Sequence, residues 1–374
     1  MKNNILFKAV ALTLAMSLSL VSPFASVKKT KADTIGMSLT PKTITTIGEL
    51  TSGTGTVAEV TATKSGTIIP INVPANGTLY GTAITESAAS SIYGYLYLDS
   101  TCTIKATSSY FYMYSSGLSD SLSLANSTAK TVYLKLSCNT NTAVRVSFGF
   151  VPGSITVGSK AKIFQNGYAS STSPIYHKFK LKKKKTVFIK GLTYSIGSSI
   201  NTWGLYYDLC NSKKTPISDD YAYVSSTDVD SYVLDKGTYY IRTTTTSLAE
   251  LSISTKKATN AKTSAKKAKV IKKGKKGWGS LSLTDKTSKK QVFKIKIKKK
   301  KKLVLNITNV YGNGSISYKI TGPTRFLYGT TGSLSPGNSL TKKTYDKVNK
   351  GTYTITIKKS SKKMSSSFYV KCKC

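Results

Sequence analysis

The sequence predicts an all-β protein of three tandem β-sandwich modules behind an N-terminal export signal. Three observations carry this. The 374 residues include 24 tyrosines and many Thr, Ser, Val and Ile, types that suit a pleated, half-buried surface. Apolar residues recur with period two in short runs bounded by turn residues, as strands require. The pattern then repeats. Leu79, Val187 and Leu303 each open a strand, 108 and 116 residues apart, and Val132, Tyr239 and Tyr353 open a later one, 107 and 114 apart. Matching offsets from two landmarks are the signature of tandem units.

Residues 1–32 read as a signal peptide. Lys2 and Lys8 precede an apolar run from Ala9 to Val21, shorter than a membrane span needs, and Ala25 or Ala32 ends the segment. No cysteine follows the run closely, no LPxTG-type motif is present, and no apolar tail closes the chain. The expectation is a mature protein that is secreted, or held to the envelope without a covalent bond.

The first module is expected over 33–153, the second over 154–257, and the third, with a Lys-rich linker, over 258–374. In the third, Phe293, Ile295 and Ile297 alternate with lysines, Lys298 to Lys302 interrupt, and Leu303, Leu305 and Ile307 resume. This reads as a hairpin around a tight lysine turn. The same place holds FKLKKKKTVFI from Phe179 to Ile189, and INVPANGTLY from Ile71 to Tyr80. Short strands follow at Tyr93 to Leu98, Leu205 to Leu209 and Ile316 to Ile320. The later landmark is Lys236-Gly237-Thr238-Tyr239 and Lys350-Gly351-Thr352-Tyr353, with Ala129-Lys130-Thr131-Val132 in the first module. Glycine there permits a turn that bulkier residues resist. Val144 to Phe148, Leu251 to Ile253 and Phe368 to Val370 close the modules. Pro152-Gly153 marks one boundary. Ser254 to Gly277 marks the other, its N-terminal part reading as a solvated linker.

The succession of Phe179-Lys180-Leu181 and Val187-Phe188-Ile189, then Tyr206-Tyr207-Asp208, then Lys236 to Ile241 resembles the bacterial pre-peptidase C-terminal (PPC) domain. Tyr97-Leu98-Asp99 repeats the middle element, whereas Tyr318-Lys319-Ile320 lacks the acid. The resemblance implies three jelly-roll-like β-sandwich modules and a non-catalytic accessory role in substrate or surface attachment. Some members of the family bind calcium, which the missing acid counts against.

Charge is uneven. Residues 33–153 hold six basic and six acidic side chains; 154–257 hold fifteen and seven; 258–374 hold thirty and two. Lysine solubilises surfaces and blunts sheet edges, but a +28 module well exceeds what solubility asks, about 2 to 8. An anionic partner is expected, either a cell-envelope polymer of the wall teichoic acid kind found in Gram-positive envelopes or an acidic polysaccharide. Anionic lipid and extracellular DNA carry the same charge. The candidate residues are Lys182, Lys183, Lys184 and Lys185, with Lys294, Lys296, Lys298, Lys299, Lys300, Lys301 and Lys302. Only Arg145, Arg242 and Arg325 are arginine, and base or phosphate recognition favours its planar fork; no dedicated nucleic-acid role is expected.

Tyr110, Tyr112 and Tyr114 fall on one face of a strand and are candidates for glycan stacking, or simply cover an edge. His177, the one histidine, stands in phase with Phe179 and Leu181, which fits a structural role. Asp219, Asp220, Asp228, Asp230 and Asp235 cluster without the spacing of an EF-hand. No nucleophile, acid–base pair, metal set or cofactor motif is visible, so a non-enzyme without cofactors is expected. Cys102 and Cys138 lie in one module as a candidate disulfide. Cys210, Cys372 and Cys374 make the count odd, and the oligomeric state stays open.

Overall fold

The computed structural model describes residues 38–85, 91–114, 119–196, 200–218, 222–268, 270–323 and 330–373, and the backbone alone at 119, 196, 301 and 340–343. The expected signal peptide, Asp219, Asp220, Arg325 and Cys374 lie outside the described residues.

Among the described residues, the regular structure is almost wholly strand, with one short helix. The first module contains β1 (Lys42–Thr43), α1 (Ile47–Thr51), β2 (Thr56–Ala62), β3 (Thr67–Val73), β4 (Gly77–Ile84), β5 (Ile92–Tyr97), β6 (Lys105–Met113), β7 (Ser119–Asn126), β8 (Lys130–Cys138) and β9 (Thr142–Pro152). The second contains β10 (Lys162–Phe164), β11 (Ile175–Leu181), β12 (Lys185–Ile196), β13 (Ile200–Cys210), β14 (Ala222–Val224), β15 (Asp230–Leu234), β16 (Gly237–Thr243) and β17 (Leu248–Lys257). The third contains β18 (Lys276–Leu281), β19 (Lys290–Ile297), β20 (Lys301–Tyr311), β21 (Ile316–Thr321), β22 (Thr331–Leu334), β23 (Ser339–Val348), β24 (Gly351–Lys359) and β25 (Ser366–Lys373).

All three modules share one topology. In the first, sheet β3-β8-β5-β6 packs on β2-β9-β4-β7; in the third, β19-β24-β21-β22 packs on β18-β25-β20-β23. The second has the equivalent pairings, but β13 runs through both layers. Its start pairs β12 and its end pairs β16, which joins the sheets into one. This strand order is that of a jelly roll, two interlocked Greek keys in a double sheet. Alternation supplies the cores: Ile69, Ile71 and Val73 of β3, Phe179 and Leu181 of β11, and Phe293, Ile295 and Ile297 of β19 are all buried. Each such side chain contributes about 1.5–3 kcal/mol. Ile44, Val151, Ile163 and Leu248 form a small cluster between the first two modules.

The lysine stretch is not a hairpin. β19 pairs β24 in one sheet, while β20 pairs β23 and β25 in the other. β11 and β12, and β3 and β4, are divided in the same way. Each pair is an arch crossing the sandwich through three residues: 74–76, 182–184 and 298–300. Period two reports which face is buried, and both strands bury theirs in the same core from opposite sides. The last strand ends beside its own arch, with Pro152 opposite Gly77 and Lys257 opposite Lys185. The chain therefore starts each following module at the arch end of the one before.

Two further readings change. The stretch before β18 is no bare linker: Lys262 bridges Val292, Val270 bridges Lys294, and Ile271 is buried, which covers the free edge of β19. The Lys-Gly-Thr-Tyr landmark owes its form to the tyrosine as well as the glycine. The Tyr239 hydroxyl donates to the Asp235 carbonyl at 3.1 Å, and Tyr353 to Asn349 at 2.9 Å, closing the preceding turn as a tyrosine corner does. Gly351 takes a positive φ of 146°, a conformation that glycine alone adopts without strain.

Cys102 and Cys138 are not bridged. Cys138 stands opposite Ile92 at the start of β5, and Cys102 lies in the turn beyond the end of β5. A six-residue strand separates them by about 17 Å or more at ~3.4 Å per residue, far beyond disulfide reach.

Candidate binding faces

The outward positions of β19-β24-β21-β22 form the first candidate face. Register places Lys290 opposite Lys358, Lys294 opposite Thr354 and Lys296 opposite Thr352. Lys319 stands opposite Thr356 on one side and Thr331 on the other; Ser317 stands opposite Lys358 and Ser333. Inward residues alternate with these and are buried: Ile295, Tyr353, Ile355, Ile357, Tyr318 and Ile320. The outer face is thus lysine, threonine and serine, apart from the covered Val292 opposite Thr356, with no acid among the described residues. Of the module's two acids, Asp285 is buried at the junction with the second module. Asp346 pairs with Lys302 at 3.8 Å, both well exposed, and an exposed pair of that kind contributes little. Lys298, Lys299 and Lys300 are exposed in the arch beside this face; the Lys301 side chain lies outside the described residues.

The equivalent lysines of the second module divide. Lys182 is exposed, Lys183 and Lys184 precede β12, and Lys185 pairs through its backbone with Leu234 and Lys257. Lys184 is no part of a surface field. Its side chain is 12% exposed and its ammonium lies 3.5 Å from Asp285 and 3.9 Å from Asp235. It also donates to Asn260 Oδ1 at 3.0 Å. Burial pushes its pKa down, opposed by the two carboxylates. Burial also acts to raise the Asp285 pKa, but Lys289, the Ser282 N–H and Lys184 outweigh it and hold the carboxyl below its ordinary value. Lys359, 3% exposed, donates to the carbonyls of Ser282, Leu283 and Lys362. Lys184 braces the second module against the third, whereas Lys359 fastens the Ser282–Leu283 turn within the third. A sequence run of lysines gives no sign of this, because the partner carboxylate arrives from the next module.

The second candidate face is the same sheet of the first module, β3-β8-β5-β6. Tyr110 and Tyr112 project outward from β6, with Tyr114 just beyond it, as the alternation predicts. Register adds Tyr93, Tyr95 and Tyr97 of β5 and Tyr133 of β8. Tyr93 stands opposite Tyr112, Tyr95 opposite Tyr110, and Tyr97 opposite Tyr133. Ring centroids are 5.0 Å apart for Tyr93–Tyr112, 5.2 Å for Tyr95–Tyr110 and 5.9 Å for Tyr112–Tyr114. The Lys105 ammonium lies 4.0 Å over the Tyr95 ring, a cation–π contact. The four added tyrosines were visible in the sequence as period-two positions between buried Leu96, Val132 and Leu134, and only strand pairing brings them to one face.

The remaining candidates are structural. His177 is fully buried. Its Nδ1 accepts from the Ile155 N–H at 3.3 Å, so Nε2 carries the proton facing Thr243 Oγ1 at 3.0 Å. Burial pulls its pKa down to about 3. Asp228 accepts from Ser225, Asp230 from the Tyr207 hydroxyl, and Asp235 from Ser282 and Thr284. No group of three or more His, Cys, Asp or Glu with metal-holding geometry occurs among the described residues. No helix among them is long and apolar enough to cross a membrane, which says nothing of a β-barrel.

No family model matches the chain, and no characterised protein matches it in sequence. Among solved structures, it is similar to the M60 catalytic domain with two CBM51 domains of ZmpB from Clostridium perfringens. Identity is 8%, coverage 83% of this chain and 34% of that one, and the TM-score 0.20. A protein from Parabacteroides distasonis assigned as secreted is 7% identical over 54% of this chain and 81% of its own, with a TM-score of 0.16. The chain spans about a third of the Clostridium structure, and likenesses this weak say nothing of what it binds.

Proposed function

We propose that the chain is a secreted, non-catalytic attachment protein that holds to an anionic cell-envelope polymer through its third module. The observation that carries this reading is the acid-free outer face of β19-β24-β21-β22, continued by the exposed arch lysines 298–300. A lysine field without arginine forks among its described residues attracts a repeating anion by charge and not by shape. It suits a flexible polyphosphate or polycarboxylate better than a single compact anion. The export expected from residues 1–32 puts wall teichoic acid and acidic polysaccharide ahead of nucleic acid as the polymer.

The test is retention of the full chain on immobilised wall teichoic acid across a salt gradient, with DNA as a soluble competitor. Binding is expected to fall steeply between about 0.05 and 0.5 M NaCl as charges are screened. Replacing Lys290, Lys294, Lys296, Lys319 and Lys358 by serine should weaken it on the order of a hundredfold or more, with the melting temperature unchanged. Retention that ignores salt, or a five-fold variant that binds like the parent, overturns the reading. Stronger capture by DNA than by the wall polymer would redirect it to nucleic acid.

A further inference from the structure

We propose that the outer face of β3-β8-β5-β6 in the first module binds a neutral, unbranched β-linked glycan strand laid against its tyrosine stack. This goes beyond attachment through the third module and is separable from it, because a neutral ligand brings no salt dependence.

The face has three properties that define its occupant. It is the outer side of one sheet, its residues projecting from paired strands, whereas compact small molecules bind in concave sites. It is aromatic, with Ile68 the one exposed aliphatic among its outward strand positions. Tyrosine offers apolar ring surface together with a hydroxyl, matching the C–H faces and hydroxyl rims of pyranose rings. It is also nearly uncharged, with Lys105 and Lys135 its only ionic side chains along the paired strands, and the Lys105 ammonium already held over Tyr95. The polyanion field of the third module is not repeated here.

The tyrosines are arranged before any ligand arrives. Tyr95 and Tyr110 stack at an interplanar angle of 23°, and Tyr93 and Tyr112 at 36°. At these centroid separations the rings brace one another, so a ligand meets a surface whose rotamers are already restricted. Tyr114, at 64% exposure, closes the stack with an open ring.

Other occupants fit less well. A second copy of the chain carries the same formal +41 charge, which opposes self-association. A peptide adding as an extra strand would need the free edge of β6. There, however, the Tyr112 N–H already donates to Asp120 Oδ2 at 2.7 Å.

The experiment is isothermal titration of the full chain with chitohexaose and with cellohexaose, in low salt and in about 0.5 M NaCl, where the screening length falls to about 4 Å. Binding of at least one hexasaccharide, changed less than about twofold by salt, is expected. Tyr110→Ala with Tyr112→Ala should weaken it by about tenfold or more. Because that pair also supports the sheet, Tyr114→Ala serves as the second variant: it should weaken binding by about threefold or more with an unchanged melting temperature. Three outcomes overturn the proposal: no binding of either sugar, equal binding by both variants, or a dimer that the same substitutions abolish.

Discussion

The first and third modules present the same sheet to solvent and make opposite surfaces of it. β3-β8-β5-β6 displays tyrosines and a near-neutral skin; β19-β24-β21-β22 displays lysine and threonine. The inward residues of the two sheets do the same work. Ile71 of β3 and Ile295 of β19 stand two residues before the ends of their strands, and both are buried. The comparison teaches that inward positions hold the jelly roll, while outward positions are free to take on unrelated chemistry. The second module stands between the two extremes: Tyr176 and Tyr240 share its equivalent sheet with Lys178, Lys180 and Arg242, and Lys214 lies over the Tyr176 ring at 4.6 Å.

The largest expected effect tests the inward half of that statement. Ile71→Ala and Ile295→Ala should each cost about 2–5 kcal/mol as cavities open, read as a shift in urea midpoint, with binding at low temperature unchanged. A small loss at either position would show that the two sheets are not equivalent.

Next comes an inward position where the copies differ in kind. Ile69, His177 and Phe293 each lie four residues before the end of their strands, and all three are buried. The folded His177 titrates well below the unfolded value, so the unfolded chain takes up a proton first. The stability it contributes is complete above about pH 6.5 and is lost as pH falls toward about 3, roughly 3 kcal/mol at pH 4. The second module should therefore melt first in acid, and His177→Phe, borrowing the third module's residue, should remove that sensitivity. Calorimetry across this pH range would show it; acid melting identical in parent and variant would refute it.

The smallest effect tests the outward half. Exchanging Asn72 and Lys296, which occupy equivalent outward places on β3 and β19, should change stability by no more than about 0.5 kcal/mol in either module. A larger shift in the chemical denaturation curve would mean that the outer faces also carry the fold.

Much of the fold was legible in the sequence, because burial follows a period of two and the period recurs through the chain. The two landmarks placed equivalent strands correctly, and the alternation named the buried residues of β3, β11 and β19. The arch was not legible. Two apolar strands joined by three polar residues look alike whether they pair with each other or face each other across a core, and only long-range pairing separates these cases. The candidate faces were legible in part. Tyr110, Tyr112 and Tyr114 were found because they sit in one strand; Tyr93, Tyr95, Tyr97 and Tyr133 come from two others. Lys184 stood in a run of four lysines and was indistinguishable from its neighbours until Asp285, about a hundred residues away in sequence, was placed beside it.

The pairing of first and last strands in the second and third modules has a mechanical meaning. β18 and β25 are antiparallel neighbours, with Lys276 opposite Lys371, so the chain enters and leaves the third module at the same end. β10 and β17 of the second module follow the same rule, Lys162 standing opposite Leu251; in the first module β1 precedes β2 and runs parallel to β9. Tension applied between the two ends of such a module loads that strand pair in peeling, one hydrogen bond at a time, and not in shear along its length. A module entered and left in this way yields progressively under load, releasing slack before its core is lost.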